Sequence, residues 1–247
     1  MFELLFGFTL ILTRVSAFFL VLPVFGWPAI PLRIKVALTV FLSVFFTFIT
    51  PLGIDPTNVP TVQAILLLAG EATYGLALGL IVALLFSVVI IAGRIVERQM
   101  GLTMAAVLDP LTGERSRPLA SLLEMIFVLI FLSANGHHFL LLIVSKSLGT
   151  FPPGTIPTID VLTDGVVRAG SAMFIAGLRL AAPMLAAFLI LMVALALLAR
   201  LVPEMNILFI SMPMRLGLGL MMAATFMPYV NGYVTEFANW MAKLLPV

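Results

Sequence analysis

The chain has 247 residues, of which 62% are hydrophobic and only 10% charged, and its mean hydropathy is +1.23. A soluble domain carries about 25% charged residues. This chain therefore lacks the polar groups to cover a water-facing surface, and lipid or protein must cover most of it. A net charge of +2, with no basic tract carrying interleaved aromatics, gives no nucleic-acid signature. The absence of cysteine excludes disulfides, thiolate catalysis and Cys-ligated zinc.

In chain order, apolar runs fall at residues 4–25, 34–50, 62–92, 119–144, 166–199 and 207–229. The first carries Glu3 and an interior Arg14, without the basic flank and small-residue cleavage site of a secretory signal, so a retained first helix is expected. Trp27-Pro28 and Pro31 end it; Pro51, Gly53, Pro56 and Pro60 separate the second from the third; Pro152-Pro153-Gly154 and Pro157 precede the fifth. A spanning helix needs roughly 20 residues, so the third and fifth runs are too long and the second is short. Such mismatch implies tilt, breaks or a protein environment, with Gly70 and Pro183 as the expected break points. Lys and Arg cluster after the first, third and fifth runs, which fits six segments with both termini outside. The expected fold is an all-α integral membrane protein of about six long, tilted or broken apolar helices, one unit over 1–247, with a re-entrant, plug-like loop.

Within the third run Gly75, Gly79, Ala83 and Ser87 recur every four residues and form one stripe. Gly75 and Gly79 make a GxxxG pair that admits a close helix backbone, from this chain or from a partner subunit. Arg14, Glu71, Glu124, Arg168 and Arg179 lie inside apolar runs. A charge at the bilayer centre costs about 2.5–3.5 kcal/mol, so each should pair or face water. Salt bridging within an assembly is favoured over an ion pathway, because no Asp/Glu/His chain lines one face. His137 and His138 are adjacent and point about 100° apart on a helix, with no third ligand at metal spacing. No metal site and no cofactor is expected. Methionines, frequent from Met173 onward, suit irregular core gaps or a compliant lining along a moving polypeptide.

The segment 94–118 is the least ordinary. Charges bracket an apolar middle over 100–108, which is too short to span and too apolar for a wet loop. Gly101 permits a tight backbone and Asp109-Pro110 ends any helix. Irregular backbone at membrane depth must be buried in protein or line a cavity. The segment is either a buried re-entrant connection or a constriction. The chain has no P-loop, dinucleotide fingerprint, HExxH or nucleophile elbow, and no enzyme activity is expected.

Three stretches resemble one family. Gly93-Arg94-Ile95-Val96-Glu97-Arg98-Gln99-Met100-Gly101-Leu102, closing on Asp109-Pro110, resembles the signature loop of the FliR family of type III export-gate subunits. Asn135-Gly136-His137-His138 with Leu140-Leu141-Leu142 is similar to that family's fourth-segment motif. Pro203-Glu204-Met205-Asn206-Ile207 and Ser211-Met212-Pro213-Met214-Arg215-Leu216-Gly217 resemble its C-terminal signature, and Arg14, Pro23 and Arg33 also fit. Glu204 departs from the Gln more usual there and adds a charge at that turn.

The resemblance covers essentially the whole chain. It implies a subunit of the core export gate of the flagellar system, or of its virulence-injectisome equivalent. Residues 1–165 would be a FliP-like part, including the loop 94–118, and 166–247 a FliQ-like helical hairpin and C-terminal helix. It further implies FliP- and FliQ-type partners, FlhB- and FlhA-type export proteins, unfolded polypeptides as cargo, and a place in the bacterial inner membrane at the flagellar basal body. By the same resemblance Met100, Gly101, Leu102, Thr103, Met104, Asp109 and Pro110 would plug the channel, flanked by Arg94, Glu97 and Arg98. Assembly contacts are expected at Glu71, Gly75, Gly79, Glu124, Arg179 and Glu204. Two rival readings are an ion-coupled secondary transporter, which would show a repeat and a midplane site, and a scaffold without moving parts.

Overall fold

The computed structural model describes residues 2–23, 31–51, 53, 59–102, 118–155, 157–204 and 206–244, with side chains left aside at 2, 118, 208, 225–231 and 234–244. Among the described residues the regular structure is helical: α1 (Phe2–Val21), α2 (Leu32–Ile49), α3 (Thr61–Met100), α4 (Pro118–Ser133), α5 (Gly136–Thr150), α6 (Ile159–Leu201) and α7 (Ile207–Leu244). Four of these (α1, α2, α3 and α6) are long and apolar enough to cross a bilayer, and the bent α4–α5 pair makes a fifth if it is one span. α7 adds a shorter described apolar stretch, Phe209–Ala224. The chain is an all-α membrane protein.

Three expectations change. The run 119–144 is two helices, because Asn135 adopts a left-handed conformation (φ 60°) that no continuing helix allows. Hydropathy carries straight across that residue, but Asn-Gly is a turn signal and could have been read as one. Gly70 and Pro183 do not break their helices: α3 and α6 are continuous through both. Both helices also outrun their apolar stretches. α3 takes in Arg94, Glu97 and Arg98, and α6 takes in Asp160 and Asp164 before its apolar run and Arg200 after it. At 40 and 43 residues they are about 60 and 64 Å long, twice the hydrocarbon thickness.

The chain divides into two compact units. The first comprises Met1–Phe86, Asn135–Ala172 and Phe237–Val247. Its core is built from one face of α1 (Leu10, Ile11, Val15, Phe18) continued by Leu22 just past its end, one face of α3 (Tyr74, Leu78, Ile81, Val82, Leu85) and α5 (Leu140, Ile143, Val144, Leu148). Each set recurs at three- and four-residue intervals, as an α-helix burying a single stripe must. α2 packs on α1 but buries only Ser43 and Phe46, so most of its apolar surface is uncovered within this chain.

The second unit comprises Ser87–Ala134 and Met173–Glu236. Its core joins Val88, Val89 and Val96 of α3, Leu123, Phe127 and Phe131 of α4, Met184 and Phe188 of α6, and Tyr233 of α7. Phe127 holds both Phe131 (6.3 Å between ring centroids) and Tyr233 (5.8 Å). The close approach of α6 to α3 falls at Gly177, where an added Cβ would stand 3.2 Å from Ile91 Cγ2.

Candidate functional site

Among the described residues two buried carboxylates organise the polar chemistry, one in each unit. In the first unit Arg14 of α1 and Glu71 of α3 are 1% and 0% exposed. Arg14 Nε donates to Glu71 Oε2 at 2.5 Å, and its guanidinium carbon stands 4.7 Å from the centre of the Tyr74 ring. Arg14 Nη1 donates to the carbonyls of Ser147 (3.0 Å) and Phe151 (2.8 Å), which close the C-terminal end of α5. A cation belongs there: the last backbone bond of the helix end runs from Phe151 N to Ser147 O, the Phe151 carbonyl lies past it, and both carbonyls sit at the negative pole of α5.

The other oxygen of Glu71 accepts from Gly154 N at 2.8 Å. Gly154 (φ 93°) sits third in the turn Pro152-Pro153-Gly154-Thr155, closed by Thr155 N donating to Pro152 O at 2.9 Å. That position of a type II turn requires positive φ. The same turn is tied to Gly53, whose N donates to Pro153 O at 3.1 Å. One ion pair thus fixes α1, α3, the end of α5 and the turn that follows it.

Gly75 and Gly79 lie on α3 just beyond Glu71 and face α1. A Cβ on Gly75 would collide with the Arg14 carbonyl oxygen, and one on Gly79 would stand 2.8 Å from the Phe18 carbonyl oxygen. The GxxxG face is therefore taken by α1 of the same chain, and it lets Arg14 reach Glu71. These three residues, expected at subunit contacts, form a seam inside the subunit.

In the second unit Glu97 is 3% exposed, and no ion pair to it is found among the described residues. Its Oε1 accepts from Leu119 N (2.7 Å) and Ala120 N (2.9 Å), the free amides of the first turn of α4. Pro118 opens that helix and has no N–H to satisfy. A carboxylate here performs the task of an N-cap from another helix and meets the positive pole of α4.

The main chain of Glu97 works at the same place. Gly101 N donates to Arg98 O (3.2 Å) and Leu102 N to Glu97 O (3.3 Å), with Gly101 at φ 79°. That pair of bonds is the Schellman ending of α3. Glu97 thus terminates α3 through its carbonyl and starts α4 through its side chain. Two neighbours on the same face of α3 complete the arrangement. Gly93 brings its backbone against Ala120 Cα, 2.8 Å from where a Cβ would stand, and buried Met100 lies over Gly219 of α7.

Of the residues expected around a plug, Met100, Gly101 and Leu102 are the end of α3 and its cap. Thr103, Met104, Asp109 and Pro110 lie outside the described residues. Arg94 and Arg98 are exposed, whereas Glu97 between them is buried. Glu124 is half-buried on α4, near enough to Arg94 to feel its charge. Arg179 and Glu204 are exposed. Arg168 is paired with Asp164 at 2.8 Å on the outside of α6. His137 and His138 are exposed with ring centroids 4.3 Å apart, and no group of three or more metal-ligating side chains occurs among the described residues. The binding of Glu97 to backbone amides was missed in the sequence; Pro118 at a helix start, with Arg117 in place of a Ser, Thr, Asp or Asn immediately before it, was the available signal.

Comparison with known proteins matches residues 5–240 to the model of the bacterial export proteins, family 1. The flagellar biosynthetic protein FliR of Escherichia coli is 32% identical over 236 residues, 95% of this chain and 89% of that protein. That of Pectobacterium carotovorum is 31% identical over 232 residues (94% and 88%), and that of Bacillus subtilis 29% identical over 235 residues (91% and 87%).

Proposed function

This chain belongs to family 1 of the bacterial export proteins, and on that premise we propose that it is a membrane-embedded subunit of the core flagellar export gate, forming and closing a channel for unfolded polypeptides. The closing element in this reading is the segment 100–110, flanked by Arg94, Glu97 and Arg98. The observation that carries it is the fastening of both helices that bracket it, the end of α3 and the start of α4, at one buried residue. An apolar stretch that closes a channel needs fixed stems, and Glu97 holds the end of α3 and the start of α4 together.

The reading extends to partners and place. α2 and α6 bury only 11% and 22% of their most apolar stretches within this chain, which leaves large faces for lipid or for other apolar subunits. FliP- and FliQ-type subunits in the bacterial inner membrane fit those faces, with FlhB- and FlhA-type proteins further out and the whole at the flagellar basal body. In that assembly residues 1–165 act as the FliP-like part and 166–247 as the FliQ-like hairpin. Exposed Arg179 and Glu204 and half-buried Glu124 are the charges left to contact partners. Glu71, Gly75 and Gly79 serve assembly indirectly, by fixing the α1–α3 pair.

Deleting residues 101–106 tests the closure. The gate is expected to assemble with its two small membrane partners and to leak small ions in vesicles. Ion permeability equal to that of the unaltered gate would remove the closure from this segment. Co-purification of the full chain with two other small membrane proteins tests the assembly itself, and solitary behaviour with ligand-stimulated uptake would replace it with a transporter.

A further inference from the structure

Glu97 stands in a run of charges, Arg94, Glu97 and Arg98, that reads as a charged rim around an apolar segment. The geometry separates it from the other two. Arg94 and Arg98 are exposed, while Glu97 is 3% exposed and spends its carboxylate on two backbone amides. A charge meant to act on passing ions or polypeptide would face water. A charge that accepts from Leu119 N and Ala120 N is part of a joint.

We propose that Glu97 is a positioning residue: a strut that sets where the segment between α3 and α4 begins and ends, through reach and hydrogen-bond acceptance and not as a charge facing the channel. This rests on the reading of that segment as the closing element. Four features of the joint support it. The carbonyl of Glu97 receives Leu102 N, so the residue that ends α3 is the residue that starts α4. Gly93, one turn earlier on the same face, lets α4 approach to backbone contact at Ala120, so the strut works over a short, fixed gap. Met100, one turn later, is buried over Gly219, so the end of α3 is also held from the side of α7. Pro118 has no N–H to satisfy, and among the described residues the amides of Leu119 and Ala120 at this helix start both go to the same oxygen.

Two conservative variants separate a strut from a channel charge. Glu97→Gln keeps the length and an acceptor oxygen but removes the charge. Glu97→Asp keeps the charge but shortens the reach by one methylene. Each is placed in the full chain, assembled with its gate partners in vesicles, and read by ion permeability and by hydrogen exchange at the Leu119 and Ala120 amides. A strut requires Glu97→Gln to stay sealed with near-normal exchange. It requires Glu97→Asp to leak, with exchange at those two amides faster by about tenfold or more, as expected when buried amides lose their acceptor.

The reverse order, with Glu97→Asp sealed and Glu97→Gln leaking, would make Glu97 a channel charge and overturn the proposal. So would unchanged exchange in Glu97→Asp. Faster exchange in a Glu97→Asp gate that stays sealed would overturn the positioning role alone. A deletion of residues 103–106, which leaves the Gly101–Leu102 cap in place, is run alongside and reports on the closure reading separately: if it does not leak, that reading falls, while the amide exchange still decides the joint.

Discussion

Glu71 and Glu97 are both buried carboxylates on the same helix, and they are kept in opposite ways. Glu71, in the first unit, has an arginine 57 residues away in sequence and a cation–carboxylate bond. Glu97, in the second, has two backbone amides and a helix pole. The first arrangement needs two side chains that must both be present. The second needs one side chain and a helix that starts in the right place. A buried ion pair is therefore the more fragile of the two, because removing either partner strands the other's charge.

That contrast gives the largest expected effect. Glu71→Ala leaves Arg14 buried without its carboxylate, and Arg14 Nη2 already has no partner among the described residues. The cost is expected to be about 3–5 kcal/mol, read as a fall in the thermal midpoint of the purified protein and as loss of gate yield. Replacing both residues, Arg14→Met with Glu71→Leu, should lie nearer the unaltered protein than Glu71→Ala alone, since an apolar pair carries no stranded charge. A double variant as unstable as the single one would mean that the α5 carbonyls and the Gly154 amide, not the pair, set the stability of this region.

The next effect comes from the glycines of the two regions. At Gly75 a Cβ meets backbone, the Arg14 carbonyl, which cannot turn aside. Gly75→Ala is expected to cost about 1–3 kcal/mol despite the gain in helix propensity, and Gly79→Ala to sit at the low end of that range. At Gly219 the added methyl meets the outer atoms of Met100, 2.5–2.7 Å away, and a thioether side chain can re-aim. Gly219→Ala is expected to cost under about 1 kcal/mol. Parallel unfolding curves of the three variants check this order. Equal losses at Gly75 and Gly219 would show that Met100 is as rigid as backbone, and would strengthen its part in holding the end of α3.

These contrasts explain which features were legible in the sequence. Hydropathy located the helical regions, and the Pro-Pro-Gly turn before α6 was plain because Gly154 needs positive φ. The need for Arg14 and Glu71 to find partners was legible too, from the cost of a charge in an apolar run. Their identity as partners was not, because only the approach of α1 to α3 at Gly75 brings them together. The break at Asn135 was hidden by the apolar runs that lead up to Leu132 and resume at Phe139. Continuity at Gly70 and Pro183 was hidden for the opposite reason, since both residues are local helix breakers in helices held by their surroundings. Glu97 looked like its neighbours Arg94 and Arg98, and only the helical face it shares with Gly93 and Met100 distinguishes it.

The smallest expected effect is at the third kind of charged contact, on the surface of α6. Asp164 and Arg168 form an i,i+4 pair at 2.8 Å with side chains 57% and 68% exposed. The acidic residue precedes the basic one, the favourable order along a helix. Water competes for both groups, so Asp164→Asn is expected to cost no more than about 0.3–0.5 kcal/mol, and less in high salt. A loss of that size in the isolated chain would place the pair on a face that stays wet. A much larger loss confined to the assembled gate would mean that a partner covers this end of α6 and dries the pair, turning it into a buried contact of the kind found at Arg14 and Glu71. Thermal midpoints of the isolated subunit and of the gate, each at low and high salt, separate the two outcomes, and the salt dependence is the sharper reading because screening acts on exposed pairs and hardly on buried ones.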